Sequence, residues 1–181
     1  MKLKNYSRGD IYKSQLIKFF CWYLLSLLIF ENGLFPFYKI KKKILIFFGA
    51  KIGKNFVIKP NVKIKFPWNL VVYDNVSIGE KVWIDNLDFV EIHDDCCISQ
   101  GVYLCTGNHN YKSKKFELFT KKIVIYSSVW VGAYSIVLPG SIIHNDVVIT
   151  AGSVVNGSVT SNSIYAGNPA KFLKYREYED N

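Results

Sequence analysis

From Ile52 onward, aliphatic residues return every sixth position, a spacing that fits neither a helix nor simple strand alternation. Ile52, Ile58 and Ile64 open the series; Val72, Ile78 and Ile84 continue it, followed by Ile92, Ile98 and Leu104. After an interruption, Ile125, Val131, Val137, Ile143, Ile149 and Val155 run in unbroken register. Four positions beyond most of these stands a small or β-branched residue: Val62, Val76, Val82, Cys96, Val102, Val129, Ser135, Ser141, Val147, Ser153 and Val159. Glycine often follows the aliphatic directly, as at Gly53, Gly79 and Gly132. The pattern predicts a parallel β-helix. Six residues supply one short strand and one corner, and three faces close a coil of about eighteen residues that buries its apolar row only against its neighbours. Chirality rules for parallel crossovers favour a right-handed coil, and the spacing alone does not override them.

Two short insertions interrupt the register, around Pro67-Trp68-Asn69 and around Asn86-Leu87-Asp88, and a long excursion covers about residues 106–122. A loop that leaves a stiff coil is a natural place for chemistry.

The amino-terminal fifty residues follow a different pattern. Residues 19–30 (FFCWYLLSLLIF) carry no charge and lie between Lys18 and Glu31. They predict a helix that ends at Asn32-Gly33, with Pro36 preventing its continuation. Twelve helical residues reach about 18 Å, short of a hydrocarbon core of about 30 Å. The small-residue cleavage pattern of a signal peptide is missing. A second patch follows, Lys39-Ile40-Lys41-Lys42-Lys43 and then Ile44-Leu45-Ile46-Phe47-Phe48. The organisation expected is therefore a basic and apolar helical segment over 1–50, a β-helix over 51–174, and a short acidic tail over 175–181.

The charge is informative by its location. The net charge is +9, yet residues 1–65 hold 14 basic and 2 acidic side chains, a balance of +12, while residues 66–181 carry −3. A nucleic-acid binder places its basic patch on the folded recognition surface. Here the charge adjoins apolar sequence, which points away from nucleic acid and towards anionic lipid headgroups. Peripheral contact at the inner face of the cell membrane through residues 1–50 is one reading. A helix packed on the main domain, or a solvated basic face, is the other. The four cysteines are spaced neither as a disulfide framework nor as a zinc site, which suits reduced thiols in the cytoplasm.

Of the three histidines, His93 and His144 each follow an inward aliphatic, and both are expected to point outward from the coil. His109 opens the excursion, in Cys105-Thr106-Gly107-Asn108-His109-Asn110-Tyr111. A neutral imidazole is suited to take a proton from an attacking hydroxyl near neutral pH. Acyl transfer from a thioester needs little else besides a hydrogen-bond donor for the oxyanion.

The run from Cys97 to Tyr111 resembles the histidine segment of the colanic-acid-biosynthesis type of hexapeptide-repeat acetyltransferase. Pro67-Trp68-Asn69-Leu70, Val129-Trp130-Val131-Gly132 and Ala166-Gly167-Asn168-Pro169-Ala170-Lys171 are similar to the same group. The likeness covers about residues 44–174. It implies a left-handed parallel β-helix, an all-β fold, and O-acetyl transfer from acetyl-CoA to a saccharide of a surface polysaccharide pathway, with no metal. It also implies a homotrimer with active sites between subunits. Carried over by position, His109 becomes the general base, and Asn86, with Asp85 and Asp88, holds the acceptor. The Ala133 backbone faces the thioester, Ala151, Gly152 and Asn156 line the pantetheine track, and Lys171 and Lys174 meet the phosphates of coenzyme A. Two other classes are open to these residues. A γ-type carbonic anhydrase would need His93, His109 and His144 to converge on zinc. A trimeric membrane-associated scaffold would need no chemistry at all.

Overall fold

In the computed structural model, residues 15–179 are described; the first fourteen residues of the predicted amino-terminal segment and the last two of the tail lie outside them. The six-residue register forms a left-handed parallel β-helix with three faces. Face one stacks Lys51–Ile52, Leu70–Val72, Val90–Ile92, Ile123–Ile125, Ile142–Ile143 and Ser158–Val159. Face two runs from Val57–Ile58 through Ser77–Ile78, Cys97–Ile98, Trp130–Val131 and Val148–Ile149 to Ser163–Ala166. Face three holds Lys63–Ile64, Trp83–Asp85, Tyr103–Cys105, Ile136–Val137 and Val154–Val155.

The aliphatic at every sixth position points inward, and from Ile58 to Val155 every one of them is buried. Each such burial contributes about 1.5–3 kcal/mol. The residues four positions later are buried as well, so each corner feeds a second side chain into the core. The residue between them turns the chain with positive φ: Asn55, Asn61, Asn75, Lys81, Asp95, Ser128, Tyr134 and Asp146 all take it. Asparagine and aspartate tolerate that conformation best, and they stack into ladders. Asn55 donates to Asn75, and Asn75 to Asp95, both at 2.8 Å.

All three interruptions fall on one edge, where face three returns to face one. Ile58, Ile78 and Ile98 are spaced by twenty residues, whereas Val131 and Ile149 are spaced by eighteen. The extra residues form corners at Phe66–Asn69 and Asn86–Phe89, and directly above these the excursion leaves the coil. It folds as a hairpin in which Gly107–His109 pairs antiparallel with Leu118–Thr120.

The first coil is closed by helices. α1 (Leu16–Leu25) continues into a π-helical turn over Ser26–Phe30, and α2 (Tyr38–Phe47) follows. The expected helix is thus present, starting earlier than residue 19, and the second patch forms a helix of its own. Trp22 is buried, donates its Nε1–H to the Ile64 carbonyl at 2.8 Å, and packs against Phe30 and Phe48. Lys41 is buried in this cap with Nζ over the Phe30 ring, and loss of hydration lowers its pKa. At the other end the chain folds back. Lys171–Tyr175 pairs antiparallel with Ser163–Ala166, so ordered pairing includes the first residue of the expected tail. Arg176 and Tyr178 then bond to Ser128 and Asp146.

Candidate active site

His109 sits at the end of the hairpin's first strand, half-buried, with its ring stacked on Phe116 at 4.3 Å. Its Nδ1 lies 3.0 Å from the Phe116 carbonyl oxygen. A carbonyl can only accept, so Nδ1 carries the hydrogen and the basic lone pair of the neutral ring is on Nε2. Stacking and hydrogen bond together orient the imidazole. Phe116 was not singled out in the sequence because it lies in a loop without a repeat to place it.

The three predicted acceptor residues divide. Asp85 faces outward on face three, accepts from the Tyr103 hydroxyl at 3.1 Å, and pairs with Lys65 at 2.9 Å. Burial pushes the Tyr103 phenol pKa well up, with help from Cys105 and Asp85, so this hydroxyl stays protonated and donates. Tyr103 stacks on Trp83 at 4.6 Å, and Trp83, Lys65, Lys63, Glu31, Phe19 and Tyr23 line a cavity of about 320 Å³ against α1. Asp85 pairs in register with Cys105, where the His109 loop departs. Asp88 is half-buried under that loop; its N–H donates to Thr106 Oγ1 and its carboxylate accepts from the Phe89 N–H.

Asn86 is a correction. It is 0% exposed, its Oδ1 accepts from the Phe66 N–H at 2.9 Å, and its Nδ2 donates to the Phe66 carbonyl at 2.6 Å. With the amide turned inward, it ties two corners together and does not line a surface. Replacing Asn86 with Ala is expected to cost about 1–3 kcal/mol for each Phe66 group left unsatisfied. An unchanged denaturant midpoint would contradict this role.

The small-residue positions gather on a different edge, where face two turns into face three. A groove of about 340 Å³ there is lined by Ser99, Gln100, Trp130, Gly132, Ala133, Thr150 and Ala151. Trp130 forms a wall, its Nε1–H held by Ser99 Oγ at 2.8 Å. Gly132 is dictated by the coil: a Cβ there would meet the Ala151 nitrogen at 2.6 Å. Gly152 has open space beside it and a φ of +71°, so its backbone conformation is what favours glycine. Its N–H donates to the Ala133 carbonyl at 2.8 Å, whereas the Ala133 and Ala151 N–H groups donate to no backbone carbonyl among the described residues. Lys171 pairs with Ala166 at the far end of this edge, and Lys174 lies further along its strand, opposite Ile164. Asn156 departs from the expected track. It follows Val155 on face three and stands exposed on the edge that carries the His109 loop.

Within one chain, then, His109 and the Ala133–Ala151 groove lie on opposite edges of face three. His93 and His144 occupy the remaining edge, in a stack of Tyr73, His93, Tyr126 and His144 with ring spacings of 4.6, 4.9 and 5.4 Å. The three histidines therefore do not converge, against the requirement of the carbonic anhydrase reading. Two of the cysteines are poor candidates for a nucleophile: burial pushes the Cys96 thiol up to about 11, and Cys105 donates to the Gly107 carbonyl.

The chain has relatives among known proteins. No family model matches it. A protein of Escherichia coli named as a colanic acid biosynthesis acetyltransferase is 36% identical over 173 residues, covering 96% of this chain and 92% of that protein. The chain belongs to the hexapeptide-repeat acetyltransferases. A second E. coli relative, named as a lipopolysaccharide biosynthesis O-acetyl transferase, is 33% identical over 72% of this chain and 74% of its own length. Among solved structures, a hexapeptide-repeat acetyltransferase of Vibrio cholerae complexed with acetyl-CoA superposes with a TM-score of 0.83 at 20% identity, covering 97% of this chain and 96% of that one. This family member is accordingly an enzyme of the acetyltransferase class, and the shared architecture is the coil described above.

Proposed function

We propose that the protein transfers an acetyl group from acetyl-CoA to a hydroxyl of a saccharide in surface polysaccharide biosynthesis. The observation that carries this reading is the His109 ring, oriented by Phe116 on a loop that departs where Cys105 pairs with Asp85, in a chain related over nearly its whole length to a protein named as a colanic acid biosynthesis acetyltransferase. The acceptor hydroxyl attacks the acetyl carbonyl carbon while His109 Nε2 takes its proton. The oxyanion accepts a hydrogen bond from the Ala133 N–H. Collapse breaks the carbon–sulfur bond, and the departing thiolate recovers the proton from His109. Asp85, held by Tyr103 and Lys65, orients sugar hydroxyls, with Asp88 nearby. Ala151 and Gly152 let the pantetheine lie close to the coil, and Lys171 and Lys174 neutralise phosphates.

Because base and groove lie on opposite edges of one chain, a complete site takes its two halves from two copies. That supports a cyclic homotrimer with three shared sites. Residues 1–50 bring the assembly into peripheral contact with the inner face of the cell membrane, from a cytoplasmic position. No helix among the described residues is long and apolar enough to cross a membrane.

The test is thiol release from acetyl-CoA against a panel of free, nucleotide-linked and lipid-linked saccharides. Release that depends on one acceptor class, with acetyl recovered as an ester on it, is the expected result. Transfer to an amine alone, or saturable acetyl-CoA binding without transfer to any acceptor, would overturn it.

A further inference from the structure

The outer surface of α1 is apolar where a helix facing water would be polar, and that of α2 mixes apolar side chains with lysines. On α1 and its π-helical extension, Ile17, Phe20, Leu24 and Leu28 recur at three- or four-residue spacing and are 83%, 60%, 46% and 70% exposed. The opposite stripe, with Trp22 and Ser26, is the buried one. Not one acidic residue lies between Leu16 and Phe30. The chain continues through exposed Leu34 and Phe37, and α2 sets exposed Ile40 and Phe47 beside Lys39 and Lys43. Lys39, Lys42 and Lys43 rim a groove of about 510 Å³ whose walls include Ile46 and Phe56. Lys42 donates to the Gly53 carbonyl, so the outward charge comes from Lys39 and Lys43.

We infer that this is a lipid-docking surface: the α1 stripe seats at the boundary of headgroups and acyl chains, and the lysine-rimmed groove takes the phosphate of an anionic phospholipid. The inference rests on the proposed membrane contact of residues 1–50 and assigns it a surface and a lipid class. Apolar side chains interspersed with lysines and lacking acids have the composition of an interfacial helix. Charge selects a bilayer over a second copy of the chain as the occupant. The first 65 residues carry +12. Drawing the same basic segments together is repulsive, whereas the cytoplasmic leaflet is anionic and attracts them.

The experiment is vesicle flotation of the full chain with phosphatidylcholine alone and with phosphatidylcholine containing phosphatidylglycerol. Oligomeric state and acetyl-CoA turnover are measured in parallel. The wild type is expected to float with the anionic vesicles. Phe20→Glu/Leu24→Glu should weaken flotation by at least about tenfold, with assembly and turnover on a soluble acceptor retained. Lys39→Glu/Lys43→Glu should lose the preference for anionic vesicles. A wild type that floats while the stripe variant floats equally would place the contact elsewhere in residues 1–50 and overturn this surface alone. A wild type that floats with neither vesicle would overturn the contact itself. A stripe variant that falls apart into monomers would assign the surface to a second copy and likewise overturn the inference.

Discussion

Replacing His109 with alanine is expected to lower acceptor-dependent turnover by roughly 10²–10⁴-fold, the usual contribution of a positioned general base. The fold should be unaffected, because the hairpin that carries His109 is held by backbone pairing of Gly107 with Thr120, Asn108 with Phe119 and His109 with Leu118. The imidazole's stack on Phe116 and its bond to the Phe116 carbonyl both lie on a partly exposed loop. Acetyl-CoA binding should also persist, since the walls of the proposed acetyl-CoA groove, among them Trp130, Ala133 and Ala151, do not include His109. The result is read as a loss in kcat with an unchanged Kd for acetyl-CoA and an unchanged unfolding midpoint. Wild-type turnover in His109→Ala would remove the base from the mechanism. A variant that fails to fold would mean that His109 is structural.

Much of the coil was legible because each of its physical demands repeats. An inward aliphatic at every sixth position cannot serve a helix, and the small residues four positions later share the same core. The site was legible less evenly. Asn86, expected at the acceptor together with Asp85 and Asp88, turns inward instead. At the end of a strand Ile84 points in, Asp85 out and Asn86 in again, and this alternation would have chosen Asp85 as the outward group. Asn156 was misplaced by a whole face: it follows a face-three aliphatic, whereas Ala151 follows a face-two one. The partners of Asp85 were hidden for another reason. Lys65 and Tyr103 lie one coil before and one coil after it, twenty and eighteen residues away in sequence, and only the stacking brings them together. Packing of a helix on the main domain was one of the readings open to this segment; the face that α2 buries was harder to see, because Lys39, Lys41, Lys42 and Lys43 surround Leu45 in sequence.

The same register produces the sharpest prediction about assembly. His109 follows Leu104 of face three, and Ala133 follows Val131 of face two, so each chain presents the base on one edge and the groove on another. A site shared between neighbours in a ring needs an intact His109 from one copy and an intact Ala133 from the next. His109→Ala and an obstructing Ala133→Trp should therefore each be nearly inactive alone. Denatured together at equal amounts and refolded, they should recover about one quarter of wild-type turnover, because in a randomly mixed cyclic ring a quarter of the interfaces join two undamaged halves. Mass measurement of the mixed particles confirms that exchange occurred, and acetyl-CoA binding confirms that Ala133→Trp fills the groove. If mixed trimers form and turnover stays at the level of the parents, both halves of the site belong to one chain, and the hairpin must then cross face three to reach its own groove. Recovery near a quarter leaves that movement unnecessary and makes the trimer the unit of catalysis.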